Sequence, residues 1–340
     1  MTYQITIQPN GATYRARADE TLLEAALRQN ILLPHGCKQG VCAACKGTIR
    51  EGKVDPGVVP PHVLSEAERA DGKILFCRAK ALSDLVLESK QVFRSDAQIV
   101  KTLPARIEEI TRAAEDVLIL RLMIPANETF TFRAGQYIDL LLPENRRRSY
   151  SIANAPEKTG FLELHIRRVA GGFFTTRLFE TITLKEILRF EGPHGGFFLR
   201  DMGKANSPAL LIASGTGFAP IKAMVESALE QGDPRPLHIY WGCRRKEDIY
   251  LSALAEAWAE KYAHLRYTPV LSEPDADWSG RTGYVHLAAA ADYPDLSAHE
   301  VYACGNPQMI EAAQQTFTAQ CKLREEAFYS DAFTFAPQGR

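Results

Sequence analysis

Three cysteines fall within nine residues, Cys37, Cys42 and Cys45, in the stretch GCKQGVCAAC, giving a C-x4-C-x2-C spacing. The whole chain has only seven cysteines in 340 residues. Gly36 and Gly40 flank and interrupt the run, so the segment reads as a tight loop on which thiolates converge. A fourth cysteine, Cys77 in ILFCRA, follows Cys45 after thirty-one residues and must be brought in from elsewhere in the fold. Cys243, Cys304 and Cys321 are scattered and individually read as buried thiols.

The opening MTYQITIQPNG has no basic region followed by an apolar stretch, so it is not read as a secretory signal. No apolar run approaches the ~18–20 residues of a membrane span. The expectation is a cytoplasmic, reducing setting without membrane association, where clustered cysteines mean metal or redox chemistry rather than disulfides. A net charge of −1 gives no reason to expect nucleic acid as a partner. C-x4-C-x2-C followed by a distant cysteine is the plant-type [2Fe–2S] spacing. Three thiolates from one loop and one from a distant strand can enclose such a cluster, and Gly40 lets backbone N–H groups approach its sulfides. A four-cysteine zinc site uses the same ligand type, but usually as two C-x2-C pairs, and one is present here.

The length suggests two or three domains, and the pattern along the chain changes twice. Residues 1–95 read as a small β-rich unit. Tyr3, Ile5 and Ile7 alternate with polar residues, Asn10-Gly11 signals a type I′ hairpin turn, and Thr21-Leu22-Leu23-Glu24 fits a capping box. Residues 91–104 look like a junction. From 101 to 203, closely spaced apolar strands with Gly, Pro and Asn punctuation suggest an antiparallel barrel: two in PARIEEITRAAEDVLILRLMIP, then QYIDLLLP, RSYSIAN and FLELHIRRV. From 204 to 340, apolar runs alternate with helices, as in a parallel α/β sheet: ALLIAS, LHIYW, RYTPVL and EVYACG against PIKAMVESALEQ, LSALAEAWAEKY and NPQMIEAAQQTFTAQ.

Two further constellations carry chemistry. Arg148-Ser149-Tyr150-Ser151 is an R-x-Y-S stretch, followed downstream by Gly171-Gly172 and Thr175. A flavin site needs a cation for the pyrophosphate, an aromatic face for the ring, a hydroxyl near N5 and backbone N–H groups for phosphate, and these residues supply all four. Standing alone, R-x-Y-S also fits a barrel strand with a solvated arginine. Gly215-Thr216-Gly217 lies between an apolar strand and a helix with Pro220 in its first turn, where a dinucleotide pyrophosphate can meet a helix N-terminus. It departs from the dinucleotide fingerprint: Pro220 replaces the third glycine, and no ribose-binding acid ends the next strand at Tyr240-Trp241-Gly242. Cys304 and Gly305 close a later strand, where ligands lie in such sheets.

In the order CKQGVCAAC…C, RSYS, GGFFT, GPHG, GTGFAP and CGNPQM, these motifs resemble the ferredoxin–NAD(P)H reductase superfamily with a plant-type ferredoxin fused at its N-terminus, and the resemblance covers nearly the whole chain. Benzoate-dioxygenase-type reductases share the plan. RRSYSIANAP, FEGPHGGFF, HIYWG and FYSDAF resemble the CDP-6-deoxy-glucoseen reductase type within it. The resemblance implies a β-grasp [2Fe–2S] ferredoxin domain over 1–95, an antiparallel β-barrel FAD domain over 101–203 and a parallel α/β NAD(P)H domain over 204–340.

It also implies roles. Cys37 and Cys42 would hold one iron, Cys45 and Cys77 the other. Arg148 would meet the FAD pyrophosphate, Tyr150 the flavin ring and Ser151 its N5 region, with Ser149 in the same stretch. Gly171, Gly172 and Thr175 would hold the diphosphate, and Gly215, Thr216 and Gly217 the nicotinamide nucleotide's pyrophosphate. Cys304 and Gly305 would border the nicotinamide, and Phe333 would lie near the flavin face. One departure is Ala43-Ala44, where Gly-Ser is common in the family; both residues are small, so a modest effect is expected.

The implied function is an NADH-dependent reductase that passes electrons through FAD and a [2Fe–2S] cluster to a redox protein: an oxygenase, a haem monooxygenase or a sugar-nucleotide dehydratase. NADH is expected over NADPH, because Glu273 in Ser272-Glu273-Pro274 would repel a 2′-phosphate, although Arg244 and Arg245 follow the previous strand. Two other readings differ in class: a non-catalytic iron–sulfur redox sensor, and a free-flavin or ferric reductase.

Overall fold

Ile5 and Ile7 are fully buried in strand β1 (Thr2–Gln8), which pairs antiparallel with β2 (Ala12–Arg17), as the period-two pattern requires. The computed structural model describes residues 1–36, 38–40, 43–61, 63–89, 92–94, 100–200 and 207–333. They divide into two compact units, Met1–Ile99 with Asp331–Thr334, and Val100–Ser330.

In the first unit, helix α1 (Leu22–Arg28) begins at a complete capping box. The Thr21 hydroxyl accepts from the Glu24 amide and the Glu24 carboxylate accepts from the Thr21 amide. Its face of Leu22, Leu23, Ala25 and Ala26 is buried in the unit's core. Strands β3 (Lys46–Glu51), β4 (Lys73–Leu75) and β5 (Leu85–Glu88) complete a five-stranded sheet of order β2-β1-β5-β3-β4, with β1 and β5 parallel. The hairpin expected at Asn10-Gly11 forms, but not through a type I′ turn. Only Gly11 has positive φ (71°), and the Asn10 carboxamide oxygen accepts from the Ala12 amide instead. Cys77 does not lie in a strand; it stands in the turn after β4.

The second unit opens with an antiparallel barrel. Its strands are β6 (Lys101–Ala114), β7 (Val117–Met123), β8 (Tyr137–Leu141), β9 (Arg147–Ser151), β10 (Phe161–Arg167) and β11 (Ile187–His194), in the order β9-β8-β11-β6-β7-β10. A bridge between Ile152 and Leu164, and an amide of Ala153 donating to the Glu163 carbonyl at 2.8 Å, link the two end strands. Helix α2 (Phe173–Glu180) follows β10 and packs Phe174 and Leu178 into the barrel core.

The same unit continues into a parallel sheet built from β12 (Ala209–Ser214), β13 (Leu237–Cys243), β14 (Leu265–Leu271), β15 (Arg281–Thr282), β16 (Glu300–Gly305) and β17 (Phe328–Ala332), the last two residues of which are grouped with the first unit. Their order is β15-β14-β13-β12-β16-β17. Helices α3 (Phe218–Glu230), α4 (Ser252–Lys261), α5 (Val285–Asp292) and α6 (Pro307–Gln320) make the crossovers. Strands β12, β13, β14 and β16 pair in parallel, which is why ALLIAS reads as a continuous apolar run rather than an alternating one. From β12 the chain steps to β13 on one side, and later elements return to β16 on the other. The switch point therefore lies at the carboxyl ends of β12 and β16. Strands β11 and β17 and helix α5 have no counterpart in the sequence reading.

Candidate functional site

Of the four clustered cysteines, Cys37 and Cys42 lie outside the described residues. Cys45 and Cys77 are both buried, and their sulfurs stand 3.2 Å apart. That is too long for a disulfide of about 2.05 Å and close enough for two thiolates to share a tetrahedral metal, each about 2.3 Å from it. The approach is fixed by the backbone: the Phe76 amide donates to the Cys45 carbonyl at 2.9 Å, and Lys46 and Leu75 pair across β3 and β4. These are the two cysteines that the resemblance assigns to one iron. Beside them Lys46 pairs with Glu68 at 2.7 Å. Burial works to raise the Glu68 carboxyl, but Lys46 and Ser65 outweigh it and hold it down at about 2. Ala43 has a left-handed backbone (φ 57°), which a side chain disfavours, so this position asks for the glycine that is common in the family.

On β9, side chains alternate. Arg148 and Tyr150 take one face, and Ser149 and Ser151 the other. Tyr150 packs against the barrel core with its ring 6.2 Å from that of Phe174 on α2, and burial raises its hydroxyl above the ordinary value. The R-x-Y-S strand and the Gly-Gly helix are thereby neighbours. Gly171 and Gly172 stand at the N-terminus of α2, which has no side-chain cap and so leaves amides for a phosphate. The Thr175 hydroxyl accepts from the Val169 amide at 3.1 Å and donates back to the Val169 and Gly172 carbonyls, stapling the loop that precedes the helix. Ser151 is buried, and its hydroxyl oxygen has no hydrogen-bond partner among the described residues. A buried hydroxyl without a partner costs free energy unless a ligand meets it, and a flavin ring would. Ser149, on the same face as Ser151, is engaged elsewhere: it donates to Asp139 at 2.6 Å.

The nicotinamide constellation assembles at the switch point. Gly215–Gly217 forms one 3₁₀ turn between β12 and α3, and α3 has no side-chain cap. A Cβ at Gly217 would lie 2.2 Å from the Cys304 carbonyl oxygen, and one at Gly305 would lie 2.2 Å from Ser214 Oγ. The two loops therefore touch through bare backbone, and a side chain on either would part them. The Asn306 amide seals the junction by donating to Ser214 Oγ at 2.9 Å. Cys304 is fully buried, while Thr216 is half-buried in the turn. Phe333, half-buried, directly follows β17.

Several residues at this site escaped the sequence reading. Trp241 donates from Nε1 to the Gly215 carbonyl at 2.9 Å and stacks on Phe218, ring centroids 3.8 Å apart. Lys222 on α3 is buried and reaches Glu163 and Glu226, each at 3.0 Å, and the Ala153 carbonyl at 3.1 Å. Beyond Glu163, His165 bonds both to it (3.0 Å) and to the Tyr250 hydroxyl (2.9 Å). Burial depresses His165 against the pull of Glu163; Glu163 itself, raised by burial but bonded to His165 and Lys222, is held at about 2. A lysine in an otherwise apolar helix, IKAMV, was the available signal. Near the carboxyl end of β13, a cavity of about 540 Å³ is lined by Glu115 and Asp116 of the β6–β7 hairpin, with Arg244, Arg245, Glu247, Asp248 and Glu273.

Comparison with known proteins matches this geometry segment by segment. Residues 5–82 match the family model described as 2Fe-2S iron-sulfur cluster binding domain, 104–199 that of the oxidoreductase FAD-binding domain, and 211–315 that of the oxidoreductase NAD-binding domain. The first match decides for a cluster over a four-cysteine zinc site. The chain is 41% identical over 333 residues to the CDP-6-deoxy-L-threo-D-glycero-4-hexulose-3-dehydrase reductase of Yersinia pseudotuberculosis, covering 98% of this chain and 99% of the relative. It is 34% identical over 345 residues to the reductase component DmpP of phenol 2-monooxygenase from Pseudomonas sp. strain CF600, covering 100% and 96%. Among solved structures, the Amycolatopsis cytochrome P450 reductase GcoB superimposes with a TM-score of 0.79 at 32% identity, covering 98% of this chain and 99% of that one.

Proposed function

We propose a donor and an acceptor for this chain, which belongs to the ferredoxin–NAD(P)H reductase family with an N-terminal plant-type ferredoxin domain and so passes electrons from a nicotinamide nucleotide through FAD to a [2Fe–2S] cluster. FAD when bound accepts a hydride and the cluster carries single electrons, so together they turn a two-electron donor into a one-electron source.

The protein's own part is to hold and align. Arg148 and the N-terminus of α2 bind the FAD diphosphate, Tyr150 covers the ring, and the Ser151 hydroxyl meets its N5 edge. Gly215, Thr216 and Gly217 take the pyrophosphate of the nicotinamide nucleotide at the N-terminus of α3, and Cys304 and Gly305 border the nicotinamide. Cys37 and Cys42 hold one iron, Cys45 and Cys77 the other. The observation that carries the flavin assignment is the buried Ser151 hydroxyl, which has no hydrogen-bond partner among the described residues. Hydride transfer needs the reacting atoms about 3–3.5 Å apart, and that alignment is what these residues supply.

NADH is the preferred donor. The cavity beside β13 sets five carboxylates against two arginines, an arrangement that accepts ribose hydroxyls and repels a 2′-phosphate. The acceptor is a protein in the cytoplasm, and a sugar-nucleotide dehydratase is favoured over an oxygenase. The support is 41% identity over nearly the full length to a dehydrase reductase, against 36% to a phenol hydroxylase P5 protein and 34% to a phenol 2-monooxygenase reductase component.

The test is NADH consumption by the purified holoprotein with either a CDP-6-deoxy-hexulose 3-dehydrase and its sugar nucleotide or a phenol hydroxylase oxygenase and phenol. Stimulation by the dehydrase alone is expected. Stimulation by the oxygenase alone reverses the acceptor assignment, and a higher kcat/KM for NADPH than for NADH reverses the donor.

A further inference from the structure

Cys45 and Cys77 are each followed directly by a cation, Lys46 in one case and Arg78 in the other. The charge of Lys46 is matched by Glu68 at 2.7 Å. Arg78 is half-buried and has no carboxylate partner among the described residues. Its Nε is buried and has no hydrogen-bond partner among them either. A guanidinium nitrogen taken from water in this way costs free energy unless an anion stands close by.

The side chain lies against the cysteine loop. Its Cγ and Cδ stand 2.8 and 2.9 Å from where a Cβ of Gly40 would be, and its Nε 3.7 Å away. Gly40 is buried and falls between Cys37 and Cys42 in sequence, so the stem of Arg78 crosses the loop that carries three of the four cysteines. The backbone beneath it is fixed. The Leu22 and Leu23 amides, at the N-terminus of α1, donate to the Ala79 and Phe76 carbonyls at 2.9 Å each, and the Arg78 amide donates to the Leu75 carbonyl at 2.9 Å. With its backbone anchored on α1 and its stem packed on Gly40, the charge is held beside the cysteines and is not free to swing into water.

Resting on the cluster reading above, we propose that Arg78 sets the reduction potential of the cluster, its guanidinium serving as the counter-charge that favours the reduced form. An iron–sulfur cluster on four thiolates is anionic, and reduction by the flavin adds one electron and one more negative charge. The guanidinium keeps its proton throughout the working range, and in a half-buried shell its field is screened less than at an open surface. It therefore stabilises the reduced cluster more than the oxidised one and raises the potential, which eases the electron's step from the flavin. Lys46 contributes little to this, because Glu68 cancels its charge at close range.

The experiment is an anaerobic redox titration of the purified holoprotein, with the reduced cluster followed by electron paramagnetic resonance and the flavin by its visible absorbance. Arg78→Met keeps a stem over Gly40 and removes the charge. It is expected to lower the ratio of reduced to oxidised cluster at least tenfold at a given potential, a fall of at least about 59 mV for a one-electron couple, with the flavin midpoint unchanged. Arg78→Lys, which keeps a charge, is expected to stay within threefold of the wild-type ratio. Should the methionine variant not assemble, Arg78→Gln carries the comparison. A ratio within twofold of the wild type in the neutral variant overturns the proposal. So does an equal fall in Arg78→Lys, which would trace the effect to packing on Gly40. Loss of iron and sulfide from all three variants also overturns it, since Arg78 would then be a clamp on the loop. A wild type that holds no iron and sulfide removes the cluster reading itself, and is told apart from the other outcomes by involving no substitution.

Discussion

The ammonium of Lys222 donates to the carbonyl oxygen of Ala153 at 3.1 Å, tying helix α3 to the backbone two residues beyond Ser151. The N-terminus of α3 carries the glycine turn, so one helix end bears on both the nucleotide loop and the flavin strand. Replacing Lys222 by Met leaves Glu163 without its cation and Glu226 with Lys158 alone, a loss of up to about 3–5 kcal/mol by the usual cost of breaking a buried pair. Urea denaturation reports that loss, and stopped-flow reduction by NADH at 450 nm should slow in Lys222→Arg, which keeps the charge but not the geometry. Unchanged stability in Lys222→Met would show that the network does not hold the unit together.

Gly217 admits no side chain, because a Cβ would sit 2.2 Å from the Cys304 carbonyl oxygen, which is backbone and cannot step aside. Gly217→Ala should lower kcat/KM for NADH at least tenfold while the flavin content, read as the 450 to 280 nm ratio, stays that of the wild type. A variant with normal NADH kinetics would mean that the β12 and β16 loops part without consequence.

Ala43 sits at φ 57°, in a conformation that costs a non-glycine residue roughly 1–2 kcal/mol. Ala43→Gly should therefore stabilise the first unit by about 1 kcal/mol, the gain being reduced by the greater freedom of glycine in the unfolded chain. The small change expected from sequence alone overlooked this backbone sign. Thermal bleaching of the cluster, followed in the visible absorbance, measures it, and earlier bleaching in the variant would contradict it.

Cys77 lies 3.2 Å from Cys45 across two segments thirty-one residues apart, so its loss opens the cluster site while leaving the second unit's sequence intact. Cys77→Ser should lose iron and sulfide and with them NADH-driven transfer to a protein acceptor. NADH–ferricyanide activity, which needs only the flavin, should persist within about threefold. Retained transfer to the protein acceptor would favour the small-molecule reductase reading instead.

Acid should destabilise the second unit in two stages. Burial holds His165 neutral in the folded state, so below about pH 6.5 the unfolded chain takes up a proton that the folded one refuses, and stability falls. Glu163, held at about 2, stays ionised when folded after its unfolded counterpart has protonated, so a second loss runs from about pH 4.5 down to about 2. Urea midpoints measured against pH should show both stages in the wild type and a smaller upper one in His165→Asn, the remainder coming from His238, His286 and His299, which burial also depresses. An upper stage undiminished in His165→Asn would assign it wholly to those other histidines.

Much of the chemistry is written locally. Cysteine spacing, R-x-Y-S, the glycine pairs and the capping box at Thr21 act over a few residues, where residue type and backbone geometry are tightly coupled, and apolar rhythm separated the barrel strands from the parallel sheet. What the sequence could not reveal depends on meetings between distant segments. Lys222 is one more lysine in a helix until Glu163 and Ala153 arrive beside it. Arg78 is one more half-buried arginine until Gly40 packs against its stem. Asn10-Gly11 spelled a turn type that the flanking chain did not adopt, and Ala43 gave no sign of its positive φ. Burial, ion pairing and backbone sign are set by what surrounds a residue, and only the folded chain decides that.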